Sequence, residues 1–327
     1  VRQIFLGDAH GRISVSEFCL GTIPFGTGTD EETAFAILDR FFEAGGTFID
    51  TADNYDQWVG KGGESEEVIG RWIRSRGVRD QVVIATKVGA RTTVPGDPSE
   101  PNFIGLAGND IRAGVEESLH RLGVERIDLY YAHWDHRASA LEERVEVFGE
   151  LVRTGKVGVI GCSNTAVWRI EEARALARTA GLPGYTCVQQ LHTYLWPRPD
   201  LAHSSVVTGE LIDYARTQSD FAILGYKPLL RGGYTRPDRR PFELGYEHPS
   251  NASRLATLRD VAKELGATAN QVVLAWMLHS DPPIIPVSAA GSVAQLDEQL
   301  AAVDLQLDES TMRRLDAAGT ESTQMLA

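Results

Sequence analysis

The chain has 327 residues, 43% of them hydrophobic and 24% charged, which is ordinary for a soluble globular protein with ample material for a core. Its formal net charge of −13 and pI of about 5.1 disfavour non-specific binding to nucleic acid or anionic lipid through long-range repulsion. No apolar run approaches the ~18 residues of a membrane span, and the start "VRQIFLGDAHG" lacks the apolar core and cleavage site of a signal peptide, so the cytoplasm is the expected address.

Residues 2–16 read as a β-hairpin turning at Asp8 to Gly11. A first buried strand follows in "FCLGTIPFG" around residue 20. Seven more short β-branched or aromatic runs come after it: "TFID" at 47, "VVIAT" at 82, "IDLYY" at 127, "VGVIGC" at 157, "TCVQQ" at 186, "FAILGY" at 221 and "PIIPV" at 283. Each has the length of a buried parallel strand. Between them lie segments of helical period. Over 109–122, Ile111, Val115, Leu119 and Leu122 share one face behind Asn109 as N-cap. Leu141, Val145, Phe148 and Val152 do the same over 140–154, with Gly155 as the expected stop. A third helix is expected over 165–180, capped by Thr165 and using Ile170, Ala173 and Leu176.

Eight strands alternating with helices fit a closed (β/α)8 TIM barrel, spanning residues 1–327 as a single domain, better than an open doubly wound sheet. No GxGxxG follows any strand, which argues against a Rossmann site. The Pro/Gly-rich stretches at 91–108 and 230–251 read as long βα loops, because the alternation resumes after each. Cys19, Cys162 and Cys187 are isolated in apolar runs and lack the spacing of metal or redox sites; they read as core residues in a reducing compartment, and no metal is expected.

A barrel gathers the residues at the C-terminal ends of its strands at one mouth. Asp50 ends the second strand, Tyr55 lies just after it, Lys87 ends the third and His133 ends the fourth. Taken singly, each has a plainer reading: a helix cap, a half-buried aromatic, a solvated lysine, a histidine satisfied by backbone. Jointly they suit the reduction of a carbonyl, which needs a proton donor for the developing alkoxide. A lysine beside a tyrosine stabilises the phenolate, a carboxylate holds the lysine charged, and a histidine orients the carbonyl oxygen.

The strings "FIDTADNY", "VVIATKVG", "IDLYYAHWD", "IGCSN" at 160–164 and "GYKPLLRGG" at 225–233 resemble the aldo-keto reductase superfamily in order and spacing across nearly the whole chain. The resemblance implies an NAD(P)H-dependent reductase of an aldehyde or ketone, a sugar or keto-sugar among the options. Tyr55 is then the proton donor, Lys87 the group that lowers its pKa, Asp50 the partner of Lys87 and His133 the substrate-orienting donor. Ser163, Asn164 and Gln190 match positions that bind the nicotinamide carboxamide, although the first two also read as caps of the following helix, Asn164 equally well. Tyr226 matches the aromatic that stacks on the ring. The 227–233 loop, with Lys227, Leu229 and Arg231, matches the segment that wraps the pyrophosphate.

The segment 287–300 departs from the family pattern, since "VSAAGSVAQLDEQL" has no basic residue to grip a 2′-phosphate. Ser292, Gln295 and Gln299 offer neutral hydrogen bonds to the adenine ribose. NADPH is the cofactor the family favours, with NADH as rival. Phe25, Trp58 and Trp134, with Trp196, are candidates for an aromatic wall around a small-molecule carbonyl substrate. Arg236, Arg239 and Arg240 suit an anionic substrate or the cofactor phosphates, or plain surface charge. The superfamily also embraces potassium-channel β-subunits, which makes a cofactor-binding regulatory subunit the alternative. No motif separates a monomer from a larger assembly.

Overall fold

The computed structural model describes residues 1–94, 102–198, 205–239, 245, 246 and 248–320. Among them, eight parallel strands close into a barrel: β3 (Cys19–Gly21), β4 (Phe48–Asp50), β5 (Val83–Val88), β6 (Ile127–Ala132), β7 (Val157–Ser163), β8 (Tyr185–Leu191), β9 (Ala222–Tyr226) and β10 (Ile284–Ala289). β10 pairs with both β9 and β3, which removes any open edge. The expected (β/α)8 architecture is therefore present, with each sequence-read strand in its place.

The N-terminal hairpin is also as expected, with β1 (Gln3–Gly7) antiparallel to β2 (Arg12–Ser16). Its role is to plug the barrel floor. Leu6 and Val15 pack onto Cys19, Phe48, Ala85, Leu129, Val159, Cys187, Leu224 and Ile285 inside the barrel. The three cysteines are free and buried, as their apolar settings imply.

Helices wrap the outside. α1 (Glu31–Glu43) is capped by the Asp30 carboxylate, which accepts from the Thr33 amide. α2 (Glu64–Arg76), α3 (Gly108–Leu122) and α5 (Val167–Ala180) each end on a left-handed glycine, at 77, 123 and 181. α4 spans Leu141–Arg153, with Gly155 at φ 77° just beyond its cap. α6 (Gly209–Thr217), α7 (Ser250–Glu264), α8 (Ala269–Leu278), α9 (Val293–Leu300) and α10 (Glu309–Ala317) complete the layer. The larger apolar cluster lies between these helices and the strands.

Two expected caps are not caps. α3 begins one residue before Asn109, from an extended Ala107, and makes no side-chain cap bond. α5 begins at Val167, and the Thr165 hydroxyl donates instead to the Ser163 carbonyl at 2.9 Å. Both helices gain more from their buried faces than from the missing bond, which is worth about 1 kcal/mol.

Candidate active site

Along a strand, alternate residues face the barrel axis. Two positions beyond the apolar floor, the interior residues become polar. Phe48 is followed on its face by Asp50, Ala85 by Lys87, Tyr131 by His133 and Cys187 by Gln189.

Asp50 and Lys87 are both fully buried, and the Lys87 ammonium donates to Asp50 Oδ1 at 2.5 Å. It also donates to the Tyr55 hydroxyl at 2.6 Å and the Thr51 carbonyl at 2.7 Å, so its three protons are spent. The Tyr55 hydroxyl lies 3.1 Å from Asp50 Oδ1, and Gln189 donates to Asp50 Oδ2 at 2.8 Å. The His133 ring meets Tyr55 edge-on, with centroids 6.2 Å apart, and its buried Nδ1 has no hydrogen-bond partner among the described residues. The four residues, read from three strand ends, thus meet around one point.

Their electrostatics correct one expectation. Burial and the Asp50 charge hold the Tyr55 phenol well above its ordinary pKa, where the sequence suggests that Lys87 depresses it. Lys87 is itself lowered by burial, against the pull of Asp50. Tyr55 therefore keeps its proton at neutral pH. His133 is pushed well below 6.5, chiefly by burial and then by Lys87, and is neutral with a single N–H.

The Tyr55 loop is pinned rather than free. Asn54 and Gln57 both donate to the Ala90 carbonyl at 3.1 Å, and Gln57 Oε1 accepts from the Thr92 amide at 2.9 Å. These bonds tie the loop to the segment just after Lys87. Gly62 and Gly63, at φ 83° and 94°, turn the loop into α2, a backbone shape that side chains resist.

Beside this group lies a shelf of amides and hydroxyls. Asn164, held at φ 52°, donates to the His133 carbonyl and to Ser163 Oγ, both at 3.0 Å, while its Oδ1 accepts from the Tyr226 hydroxyl at 2.9 Å. Ser163 Oγ donates to the Gln189 carbonyl at 2.7 Å. Neither residue caps α5. Gln190 is not on this shelf: it points away from the axis, and its amide donates to the Thr165 carbonyl at 2.9 Å. Gln189 takes the interior position. β8 is buried on both faces, so its sequence shows no alternation from which to read that phase.

After β9, the loop holds Lys227, Leu230 and Arg231 at φ 54°, 47° and 54°. Three left-handed non-glycine residues in five positions are costly and gather at ligand clamps. Lys227 and Arg231 are exposed there, while Leu229 is buried beneath them. At the end of β10, Ser292 caps α9 through the Gln295 amide, Gln295 accepts from Gly291 at 2.8 Å, and Gln299 donates to Ala289 at 3.0 Å. Arg40 reaches α9 but pairs with Asp297 at 2.7 Å, more than a turn past Ser292.

The proposed aromatic wall divides. Phe25 is fully buried in the outer core and does not reach the mouth. Trp58 and Trp134 are 54% and 38% exposed, on the loops that carry Tyr55 and His133, and Phe103 lies against Trp134 with ring centroids 6.4 Å apart. Trp196 packs instead on His248 and under Arg254. Arg236 is paired with Asp238 at 2.6 Å, and Arg239 lies 3.9 Å from the same carboxylate. Arg240 lies outside the described residues.

No helix among the described residues is long and apolar enough to cross a membrane, and no cluster of three His, Cys, Asp or Glu side chains among them suits a metal ion. The chain is 33% identical over 318 residues to the norsolorinic acid reductase stcV of Emericella nidulans, covering 93% of this chain and 78% of that protein. It is 35% identical to the uncharacterized oxidoreductase YrpG of Bacillus subtilis, over 93% and 92% of the two chains. An aryl-alcohol dehydrogenase [NADP(+)] of Phanerodontia chrysosporium is 28% identical over 90% and 78%. The aldo/keto reductase family model matches residues 17–320, spanning the barrel and the strand-end residues that meet at its mouth. The chain is an oxidoreductase that belongs to the aldo/keto reductase family.

Proposed function

We propose that this protein reduces an aromatic aldehyde or ketone to the alcohol, with Tyr55 as general acid and a reduced nicotinamide cofactor. The observation that carries the reading is the Lys87 ammonium, bonded at once to Asp50, Tyr55 and Thr51, with neutral His133 facing the same phenol.

His133 offers its one N–H to the carbonyl oxygen and fixes its direction. A reduced nicotinamide, when bound, supplies the hydride that the carbonyl carbon accepts. As the carbon–oxygen double bond becomes single, charge collects on that oxygen, and the Tyr55 hydroxyl gives it a proton. An alkoxide is a stronger base than a phenolate, so the transfer runs downhill even from a phenol held above its usual pKa. The phenolate left behind sits 2.6 Å from the Lys87 ammonium, which is already in place and needs no reorganisation. Asp50 keeps that ammonium charged, and Gln189 takes up its second oxygen.

The shelf fits the carboxamide of a nicotinamide, since Ser163, Asn164 and Gln189 offer both donors and acceptors, with Tyr226 alongside as the aromatic face. Lys227 and Arg231, on a clamp-like loop of an acidic chain, suit a pyrophosphate. Ser292, Gln295 and Gln299 suit a ribose. NADPH is the expected cofactor, but the 2′-phosphate finds no cation within 287–300, so its advantage over NADH is expected to stay within about tenfold.

The name of one relative, aryl-alcohol dehydrogenase, favours an aryl substrate, and Trp58, Trp134 and Phe103 are the groups to flank it. An anionic nucleotide sugar is less well served, since Arg236 and Arg239 already share Asp238. The test is turnover of NADPH and of NADH with aryl aldehydes, aryl ketones and aldoses. Turnover of aryl carbonyls well above aldoses supports the reading. Tight cofactor binding with no turnover of any carbonyl overturns it in favour of a regulatory subunit.

A further inference from the structure

The loop between Asp50 and Tyr55 carries a second acid, Asp53. It is buried, and its amide N–H donates to the carbonyl of Lys87 at 3.3 Å, so the residue rides on the Lys87 strand. Its Oδ1 is enclosed with no hydrogen-bond partner among the described residues. Asp50 is paired with the Lys87 ammonium, whereas no ion pair to Asp53 is made among the described residues.

The groups around Asp53 explain this. From α2 comes Glu66, fully buried, which accepts from Thr86 Oγ1 and from Arg121 Nε, both at 2.6 Å. From α3 come Arg121 and Glu117, 3.3 Å apart, and Arg91, after β5, lies 2.6 Å from Glu117. From β5 comes Lys87, whose protons are committed to Asp50, Tyr55 and Thr51. From β6 comes Tyr130, also buried, with its hydroxyl unpartnered among the described residues. Three carboxyl groups thus share two guanidinium groups, which bond to Glu66 and Glu117. An acid enclosed in this way keeps its proton: burial first, then the charge of Glu66, raise the Asp53 carboxyl to about 8, against the pull of Arg121 and Arg91.

We propose that Asp53 is a positioning residue for the Lys87–Tyr55 pair, effective as a neutral acid and disruptive as an anion. The inference rests on Tyr55 as the general acid. When Asp53 releases its proton to solvent, a negative charge appears two residues from Tyr55, on a segment hydrogen-bonded to the Lys87 backbone. That charge draws on the Lys87 ammonium and opposes a phenolate at Tyr55, so proton donation weakens. Repulsion from Glu66 also pushes on the loop that sets where Tyr55 lies. Tyr55 itself keeps its proton through this range, so Asp53 is the group that ends the working range on the alkaline side.

The test compares the full chain with its Asp53→Asn variant, a neutral side chain of the same shape. Thermal melting against pH needs no substrate. The folded protein holds the Asp53 proton up to about pH 8, whereas the unfolded chain releases it near pH ~4. The parent should therefore lose stability relative to the variant as pH rises between those values, and the gap should stay constant above. Turnover against pH, with NADPH and carbonyl saturating, reads the coupling. The parent should fall as pH rises through about 8, toward the lower rate of the Asp53 anion, and this limb should vanish or move up by at least about one unit in the variant. Parallel melting profiles overturn the protonation of Asp53, and a limb shared by both proteins overturns its positioning role. If the variant fails to fold, Glu66→Gln serves instead: with one like charge gone, Asp53 ionises earlier and the limb moves to lower pH, and an unmoved limb overturns the proposal. Failure of the Tyr55 assignment is separable, since turnover retained by Tyr55→Phe removes that reading and leaves the melting comparison intact.

Discussion

The two ends of the barrel interior are built from the same strands, two residues apart, and obey opposite rules. At the floor, Leu6 and Val15 of the hairpin close on Phe48, Ala85, Leu129 and Cys187, and the contacts are apolar and non-directional. At the mouth, Asp50, Lys87 and Gln189 stand on the same faces, fully or nearly fully buried, and are joined by directed polar bonds. The floor gains stability from what it excludes. The mouth holds a buried ion pair whose loss is costly and whose retention adds little to stability, which accords with the catalytic role proposed for it.

The most severe way to break this contrast is to remove Lys87. Lys87→Met should abolish measurable carbonyl turnover and also lower stability by about 3–5 kcal/mol, because Asp50 is left buried without its cation. Denaturant titration and steady-state rates measured together check this, and a variant as stable as the parent would mean that Asp50 takes up a proton at little cost. Tyr55→Phe should separate the two properties, with turnover down by about 10²–10⁴ and stability and cofactor binding nearly unchanged. Full activity in that variant removes Tyr55 as the acid. At the floor the separation runs the other way: Leu6→Ala should cost about 2–5 kcal/mol in denaturant unfolding and leave turnover at the mouth within about twofold. A large drop in turnover at full stability would show that the hairpin acts on the mouth. The smallest effect is expected at the rim, where Trp134→Ala should raise KM for aryl aldehydes by about tenfold with little change in kcat. An unchanged KM would remove Trp134 from the substrate wall.

Acid pH probes the same contrast. Burial holds the neutral forms of His133 and His192, the latter down to about 4, whereas the unfolded chain protonates both near pH ~6.5. Below about pH 6.5 the unfolded state therefore binds more protons, and stability should fall as pH drops toward 4. His192→Gln should flatten part of that fall in thermal melts, and an unchanged slope would assign it to His133 and the carboxylates.

Much of the site was legible because strand ends converge in a barrel. Asp50, Lys87 and His133 each end a β-branched or aromatic run, and the order of those runs was enough to bring them to one mouth. Other features were not legible. Gln189 and Gln190 are adjacent in a strand buried on both faces, so nothing in their neighbours' hydrophobicity tells which one points inward. Phe25 lies near a strand end yet turns into the outer core. Only the bonds of Asn54 and Gln57 to Ala90 and Thr92 reveal that these two side chains hold the Tyr55 loop against the Lys87 strand. The setting of Asp53 is not legible either, since the charges around it depend on where α2 and α3 place Glu66 and Arg121.

By itself the sequence determined the period of each element and the residue type at each strand end, because alternation and helical spacing are local properties of the chain. The tertiary structure alone decided which face each buried strand residue takes and which carboxylate receives a cation. It also decided that Tyr55 keeps its proton in spite of the lysine beside it. Those outcomes depend on burial and on charges from distant segments, and a low-dielectric interior assigns them only once the barrel has closed.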